Sequence, residues 1–317
     1  MSVREERAMA GGEAGVGVAE WYAVRESKGL WWEAWERFRR DKLALAGGAI
    51  IILLVVLALG ASLFSQYVTH YAPYEQDLRS NLKRPGFQKA PEEPRHWLGT
   101  DELGRDVLTR AIYAARISLG VSGATVLIAL TVGTLMGTLS GFYGGVLDAV
   151  IMRFVDIMLS IPAFFLLLFI AVVFSPGIVA FSFVIASVSW MGVSRLVRGE
   201  FLSIKARDYV DAARVVGASN ARIIFRHILP NATTPLIVAA TLMSGNVILI
   251  ETALSYLGMG VQPPTPSWGN MLTKSAQYLY KAPFLVFIPG FFIFITVLAI
   301  NLMGNGLRDA LDPRLKQ

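Results

Sequence analysis

A serine placed to act as an intramembrane nucleophile stands at Gly120-Val121-Ser122-Gly123, a GxSG spacing inside an uncharged run. Such a serine needs a general base, ordinarily a histidine brought up from another segment. The three histidines are at 70, 96 and 227, outside every hydrophobic run, so Ser122 reads as a small packing residue. Cysteine is absent, which removes thiolate nucleophiles, disulfides and Cys-ligated zinc together. No HExxH metal pair, no aspartyl dyad and no GxxxxGK[ST] phosphate cradle occurs, so the chain carries no visible means of hydrolysing ATP. Two features remain. One is Glu251, a lone carboxylate in an apolar run; the other is a basic loop between Glu200 and Pro230.

The elements that position them follow from composition. Of 317 residues, 54% are hydrophobic and 16% charged, against roughly 25% charged in soluble domains. Mean hydropathy is +0.53. A soluble globule and a disordered chain are both excluded, and the chain reads as an all-α polytopic membrane protein. A crossing needs about 20 apolar residues. Six runs qualify: Ala44–Phe64, Leu119–Phe142, Ile157–Phe174, Gly177–Ser194, Thr233–Leu257 and Pro283–Met303.

Orientation follows from basic residues near the span ends. Arg37, Arg39, Arg40 and Lys42 precede the first run, and the 200–230 loop, with Arg195 and Arg198 before it, and the C-terminal tail are basic. Both termini are therefore expected in the cytoplasm; the net charge of +6 reflects these segments rather than a nucleic-acid surface. Residues 1–30 read as a cytoplasmic tail, disordered over its Gly-, Ala- and Glu-rich first twenty. Trp31, Trp32, Trp35 and Phe38 then recur at near-helical spacing among arginines, as in a helix lying in the membrane interface. This helix, the first span and an extracytoplasmic loop make up 31–114. In that loop Thr100 is expected to cap a helix whose first turn holds Asp101 and Glu102, with Leu103, Val107, Leu108, Ala111 and Ile112 as its apolar stripe. Gly133, Gly137 and Gly141, four apart, predict a close helix–helix contact within the chain.

The 200–230 loop predicts a helix over about Arg207–Val216, a turn at Gly217, and a second helix capped by Ser219 and ended by Pro230. Two short helices resemble a DNA-binding helix-turn-helix, but a stretch tethered between two membrane runs lacks the third helix and the freedom such a domain needs. Asn231-Ala232-Thr233 fits a glycosylation sequon, which on the cytoplasmic side carries no meaning.

With its acidic Asp211, paired Ala212 and Ala213, Gly217 four further on and closing Leu229-Pro230, the loop resembles the EAA loop of ABC importer permeases. HWLGTDELGRDVLTRAIYAARISLG (96–120), MRFVDIMLSIP (152–162), ETALSYLGMGVQPPTPSWGNML (251–272) and GLRDALDPRL (306–315) are similar to the C-type permease subunit of dipeptide and oligopeptide importers. The resemblance covers about 35–315. Two departures are Asp211, where that family mostly has Glu, and Asn305, where it often has Asp. The resemblance implies a type I permease domain over 115–304, a cytoplasmic tail over 305–317, and a place in the bacterial cytoplasmic membrane. It further implies a sister permease, two ATPase subunits that use ATP and magnesium, and an extracytoplasmic peptide-binding protein. On that footing the chain is a transport subunit and not itself an enzyme, with no directly bound cofactor or metal, and the loop docks on the ATPases.

For Glu251 two readings stand: it lines or gates the peptide path, or it pairs with a basic residue of this chain or the sister subunit. Asp156 is expected to pair locally with Arg153. Gln262–Trp268, stiffened by prolines, reads as an outer loop that either meets the binding protein or is simply structured. Rival functions are the same permease type carrying nickel or another small solute, an intramembrane protease built on Ser122, and a proton-coupled carrier built on Glu251.

Overall fold

The computed structural model describes residues 30–311; residues 1–29 of the tail expected at 1–30 and the end of the tail expected at 305–317 lie outside the described residues. Among the described residues the fold is helical, with two isolated β-bridges in place of any sheet. Helix α1 (Leu30–Phe38) is the amphipathic element expected from the tryptophans. It buries Ala34, exposes Trp32 and Trp35, and carries the i,i+4 pairs Glu33–Arg37 and Glu36–Arg40. Asp41, in extended conformation, ends it and caps α2 (Lys42–Leu59) by accepting from the Leu43 and Ala44 N–H groups.

Helix α2 packs against the last helix, α10 (Phe284–Leu311), through small residues. A β-carbon on Gly47 would sit 2.5 Å from the Ala299 oxygen, and one on Gly306 would sit 2.2 Å from Ala44 Cβ. Its other faces expose Ile52, Leu53, Val56 and Leu59, as a lipid-facing helix would. Arg116 closes its far end, donating to the Ala58 and Leu59 oxygens at 2.9 and 3.0 Å, where a cation complements the helix dipole.

The loop before α3 (Val107–Tyr143) corrects one expectation. Thr100 caps no helix: its hydroxyl is buried, donates to the Ser80 carbonyl and accepts from the Lys83 N–H. Asp101 instead folds a turn by accepting from the Leu103 and Arg105 N–H groups. Asp106 is the cap, accepting from Thr109 N–H at 2.8 Å. The reason is tertiary. Gly104 has φ +73°, and a β-carbon there would meet the Asp77 carbonyl at 1.8 Å, so the chain turns before it can coil.

Helix α3 lies along α6 (Ile178–Lys205) on the predicted glycine seam. β-carbons on Gly133, Gly137 and Gly141 would fall 2.6, 2.5 and 2.7 Å from Val193, Ser194 and Phe201 respectively. The third expected span is not one helix. Residues Gly145–Ser160 (α4) and Ala163–Phe174 (α5) meet at an 85° bend. Pro162 has no N–H to donate, and Ile161 before it is driven to φ −87°, ψ 128°. Among the described residues five helices are thus long and apolar enough to cross a membrane, and six if the bent pair is one span.

Beyond α6 come α7 (Asp208–Val215), a helical turn at Asn220–Arg222, and α8 (Leu229–Tyr256). Pro230 does not end the second helix as expected. A π segment, Ile223–Ile228, precedes it and its widened turn absorbs the missing proline N–H, so the chain runs on into α8 with Pro230 in the first turn. A short helix, α9 (Trp268–Ser275), lies between α8 and α10 at the end of the bundle that carries the first loop.

Candidate coupling loop and buried polar knot

The loop at one end of the bundle is built on a packed base. Val210, Ile223, Ile224 and Ile228 are buried with Phe201 and Ile204 of α6 and Phe142 of α3. Lys205 Nζ donates to the Phe142 oxygen at 2.5 Å. Helix α7 is stopped by a paired turn: the Gly217 N–H bonds to the Arg214 oxygen and the Ala218 N–H to the Ala213 oxygen, with Gly217 at φ +84°. This two-bond closure calls for a left-handed residue at its pivot, which glycine supplies without strain. Ser219 then caps the next turn through Arg222 N–H.

On this base the tip is open. Val215 and Val216 are each 88% exposed, and Phe225 also faces outward. Ala212 is exposed and Ala213 half-buried. The Asp211 side chain is 63% exposed and receives Arg214 Nη1 at 2.9 Å within its own helix. Leu229 is half-buried and Pro230 exposed. A rigid, short helix with a small-residue face and two exposed valines offers a shape that a cleft can grip.

At the other end Glu251 of α8 is fully buried. Its carboxylate accepts from Ser118 Oγ of α3 at 3.0 Å and from Ser255 Oγ at 2.8 Å. Trp268, also fully buried, donates its backbone N–H to Ser118 Oγ and its indole N–H to the Ala111 oxygen. Asn270 and Ser267 form a reciprocal cap on α9. Glu251 therefore forms no ion pair with a basic side chain among the described residues; its hydrogen bonds join α3 and α8, and Ser118 extends the knot to α9. Ser118 and Ser255 were not singled out from the sequence, and Trp268 only as the end of the proline-stiffened stretch; the serines' one signal is that hydroxyls in apolar helices seek partners.

Asp156 pairs with Arg195 of α6, not with Arg153. Ser122 spends its hydroxyl on the Ser244 carbonyl at 3.1 Å. Among the described residues no group of His, Asp or Glu could hold a metal ion. A cleft of about 270 Å³ lies beside the knot, lined by Asp101, Glu102, Arg105, Arg110, Gln262 and Lys274 among others. Its charges are largely internally paired, Arg105 to Asp101 at 2.6 Å and to Glu102 at 3.3 Å. In the first loop Tyr71 is pushed up to about 12 by burial and then by the Asp106 carboxylate. Hydrogen bonds from Lys89 and Ser80 hold Asp77 down at about 2.

Residues 129–317 match the family described as binding-protein-dependent transport system inner membrane component, and residues 29–88 match the N-terminal transmembrane domain of oligopeptide transport permease C. The chain is 45% identical to the di/tripeptide transport system permease protein DppC of Pseudomonas aeruginosa, over 90% of this chain and 92% of that one. It is 38% identical to the oligopeptide transport system permease protein OppC of Bacillus subtilis, over 92% of each. Among solved structures, an inward-facing MetNI methionine ABC transporter superposes with a TM-score of 0.54 at 20% identity, covering 65% of this chain and 97% of the other. That likeness concerns the fold.

Proposed function

This chain belongs to the binding-protein-dependent transport system inner membrane components, and on that footing we propose that it is the C-type permease subunit of an ATP-driven importer of di- or oligopeptides. The observation that carries the mechanism is the exposed tip of α7, held on a buried base that continues directly into α6 and α8. In this reading α7 docks in a cleft of an ATPase subunit, with Ala212 and Ala213 allowing close approach and Val215 and Val216 desolvated on contact. Closure of two such ATPases, driven by ATP and magnesium, pushes the loop. Gly217 fixes the turn, so the push reaches α6 and α8 instead of being lost in local bending.

A sister permease supplies the other half of the path, and an extracytoplasmic binding protein delivers the solute to the first-loop end. Both termini and the α7 loop then face the cytoplasm of a bacterial cell, and the chain contributes no ATPase site of its own. The names of the relatives favour peptide over nickel. The test is reconstitution in proteoliposomes of this chain with its sister permease, ATPases and binding protein. Uptake of labelled di- and tripeptides should need ATP and the binding protein, and the chain alone should hydrolyse no ATP. Uptake of nickel and not peptide would replace the substrate class while leaving the coupling role intact.

A further inference from the structure

Helix α4 is weakly anchored by packing. Val155 is its single buried residue, and Val146, Val150, Phe154 and Ile157 all face outward. Beside the apolar contact of Val155 with Ile185 and Val188, what fastens it to α6 is polar. Asp148 is gripped by the fork of Arg198, Nε to Oδ1 and Nη2 to Oδ2, each at 2.6 Å, and Ser140 of α3 donates to the same carboxylate. About two turns along α4, Asp156 pairs with Arg195. Between them Phe154 stacks on Trp190 with ring centroids 6.3 Å apart. Arg195 and Arg198, three apart, share one face of α6, and both sit shortly before that helix ends at Lys205 and the chain enters α7.

The α3–α6 contact, by comparison, is locked by backbone approach at three glycines. The α4–α6 contact has no such seam. We infer that Asp148–Arg198 and Asp156–Arg195 form a positioning clasp that makes α4 travel with α6. Displacement of the α7 loop is thereby carried to the 85° elbow at Ser160–Pro162 and into α5. The inference rests on the coupling reading of α7 and adds to it the route by which the stroke reaches the bent pair. A forked Arg–carboxylate bond fixes geometry as well as distance, whereas a partly exposed pair adds little to stability. Loosening the clasp should therefore cost coupling more than folding.

The test uses the full importer in proteoliposomes. In the double variant Asp148→Asn, Asp156→Asn, ATP hydrolysis stimulated by the binding protein should stay near wild type, while solute taken up per ATP falls about tenfold, within the usual range of coupling between sites. Adding the exchange Asp156→Arg with Arg195→Asp to an otherwise wild-type chain should keep uptake per ATP near normal, because the pair is rebuilt with its signs reversed. Unchanged uptake per ATP in the double variant would overturn the clasp. A second measurement covers the case in which that variant fails to assemble. With no native cysteine, spin labels at Ala149 and Ser203 report the α4–α6 distance in an otherwise wild-type complex. ATP should leave it fixed while the Ser203–Asn305 distance changes; an α4–α6 distance that moves with ATP also overturns the clasp. A wild-type complex without ATP-driven uptake would instead sink the coupling reading itself.

Discussion

The hydroxyl of Ser118 on α3 donates to the carboxylate of Glu251 on α8 at 3.0 Å, across 133 residues of sequence. The same oxygen accepts the Trp268 backbone N–H, so one serine joins α3, α8 and α9. Glu251→Gln keeps an acceptor of the same shape and should leave the thermal midpoint of the purified complex within a few degrees of wild type. Glu251→Ala strands two buried hydroxyls and opens a void, at a cost of about 2–5 kcal/mol. Thermal unfolding in detergent decides between them; equal behaviour of the two variants would show that the knot does not hold this end together.

The glycine seam makes a sharper packing forecast. A β-carbon at Gly137 would lie 2.5 Å from the Ser194 oxygen, whereas one at Gly123 meets nothing within 4 Å. Gly137→Ala should therefore destabilise by about 1–3 kcal/mol. Gly123→Ala should be neutral or gain up to about 1 kcal/mol of helix propensity. Monodisperse yield and thermal midpoint of each variant are the readouts, and a destabilised Gly123→Ala would point to a contact outside this chain.

Part of this architecture was legible in the sequence and part was not, for identifiable reasons. The fourfold spacing of Gly133, Gly137 and Gly141 announced close packing because only backbone approach rewards that pattern. Helix α7, Asp208–Val215, falls within a residue of the expected Arg207–Val216 at each end, because a turn glycine and a cap are local signals. Apolar counting found the run at Ile157–Phe174 but not the bend within it. It measures how much of a segment is greasy, not its direction, and the warning lay in Ile161-Pro162. Thr100 lost to Asp106 because Gly104 must press on the Asp77 carbonyl, a contact no local rule contains. Asp156 chose Arg195 over Arg153 because a packed neighbouring helix presents a guanidinium more directly than its own helix does. The knot around Glu251 left no trace to read, because Ser118 lies 133 residues away and Ser255, four residues on, is one hydroxyl among several in that helix.

Topology is testable because the chain has no cysteine. Ser219, on the exposed α7 loop, and Tyr280, fully exposed between α9 and α10, lie at opposite ends of the bundle. Single cysteines there should react with an impermeant maleimide differently. Tyr280→Cys should label in intact spheroplasts, and Ser219→Cys only after the membrane is opened. Labelling of both from outside would mean that α8, the helix between the two sites, does not cross the membrane.

The first loop should carry an alkaline signature. Tyr71 donates to the Pro94 oxygen at 2.6 Å and stacks on His96 with ring centroids 4.1 Å apart. Burial first, and the Asp106 carboxylate second, hold its phenol neutral to about 12, against about 10 in the unfolded chain. Its folded value is raised, so the contribution to stability is complete below about pH 10 and is lost as pH climbs through about 12. The near-ultraviolet difference titration between wild type and Tyr71→Phe should show one tyrosinate forming near 12, moving down when Asp106→Asn removes the charge but keeps a cap. A midpoint near the ordinary tyrosine value of about 10 would mean that the loop is open in solution.

The α7 loop yields the most direct forecast about coupling. Gly217 sits at φ +84°, and a β-carbon there would meet nothing within 4 Å, so substitution is penalised by backbone conformation and not by crowding. A β-branched side chain tolerates that conformation worst. Gly217→Val should therefore impair transport more than Gly217→Ala, and Gly217→Asn should be the mildest of the three, since asparagine enters the left-handed region most readily. Asp211→Glu, the residue more common in the resembling family, should be tolerated. Asp211→Lys places a cation beside Arg214, removes the 2.9 Å pair and reverses the charge shown at the tip. None of these changes touches a membrane-spanning segment, so expression and insertion should stay near wild type. Binding-protein-stimulated ATP hydrolysis and solute uptake should fall together in Gly217→Val and Asp211→Lys, because both depend on the same docked loop. If both variants assemble with the ATPases and transport normally, α7 is not the element that receives the stroke.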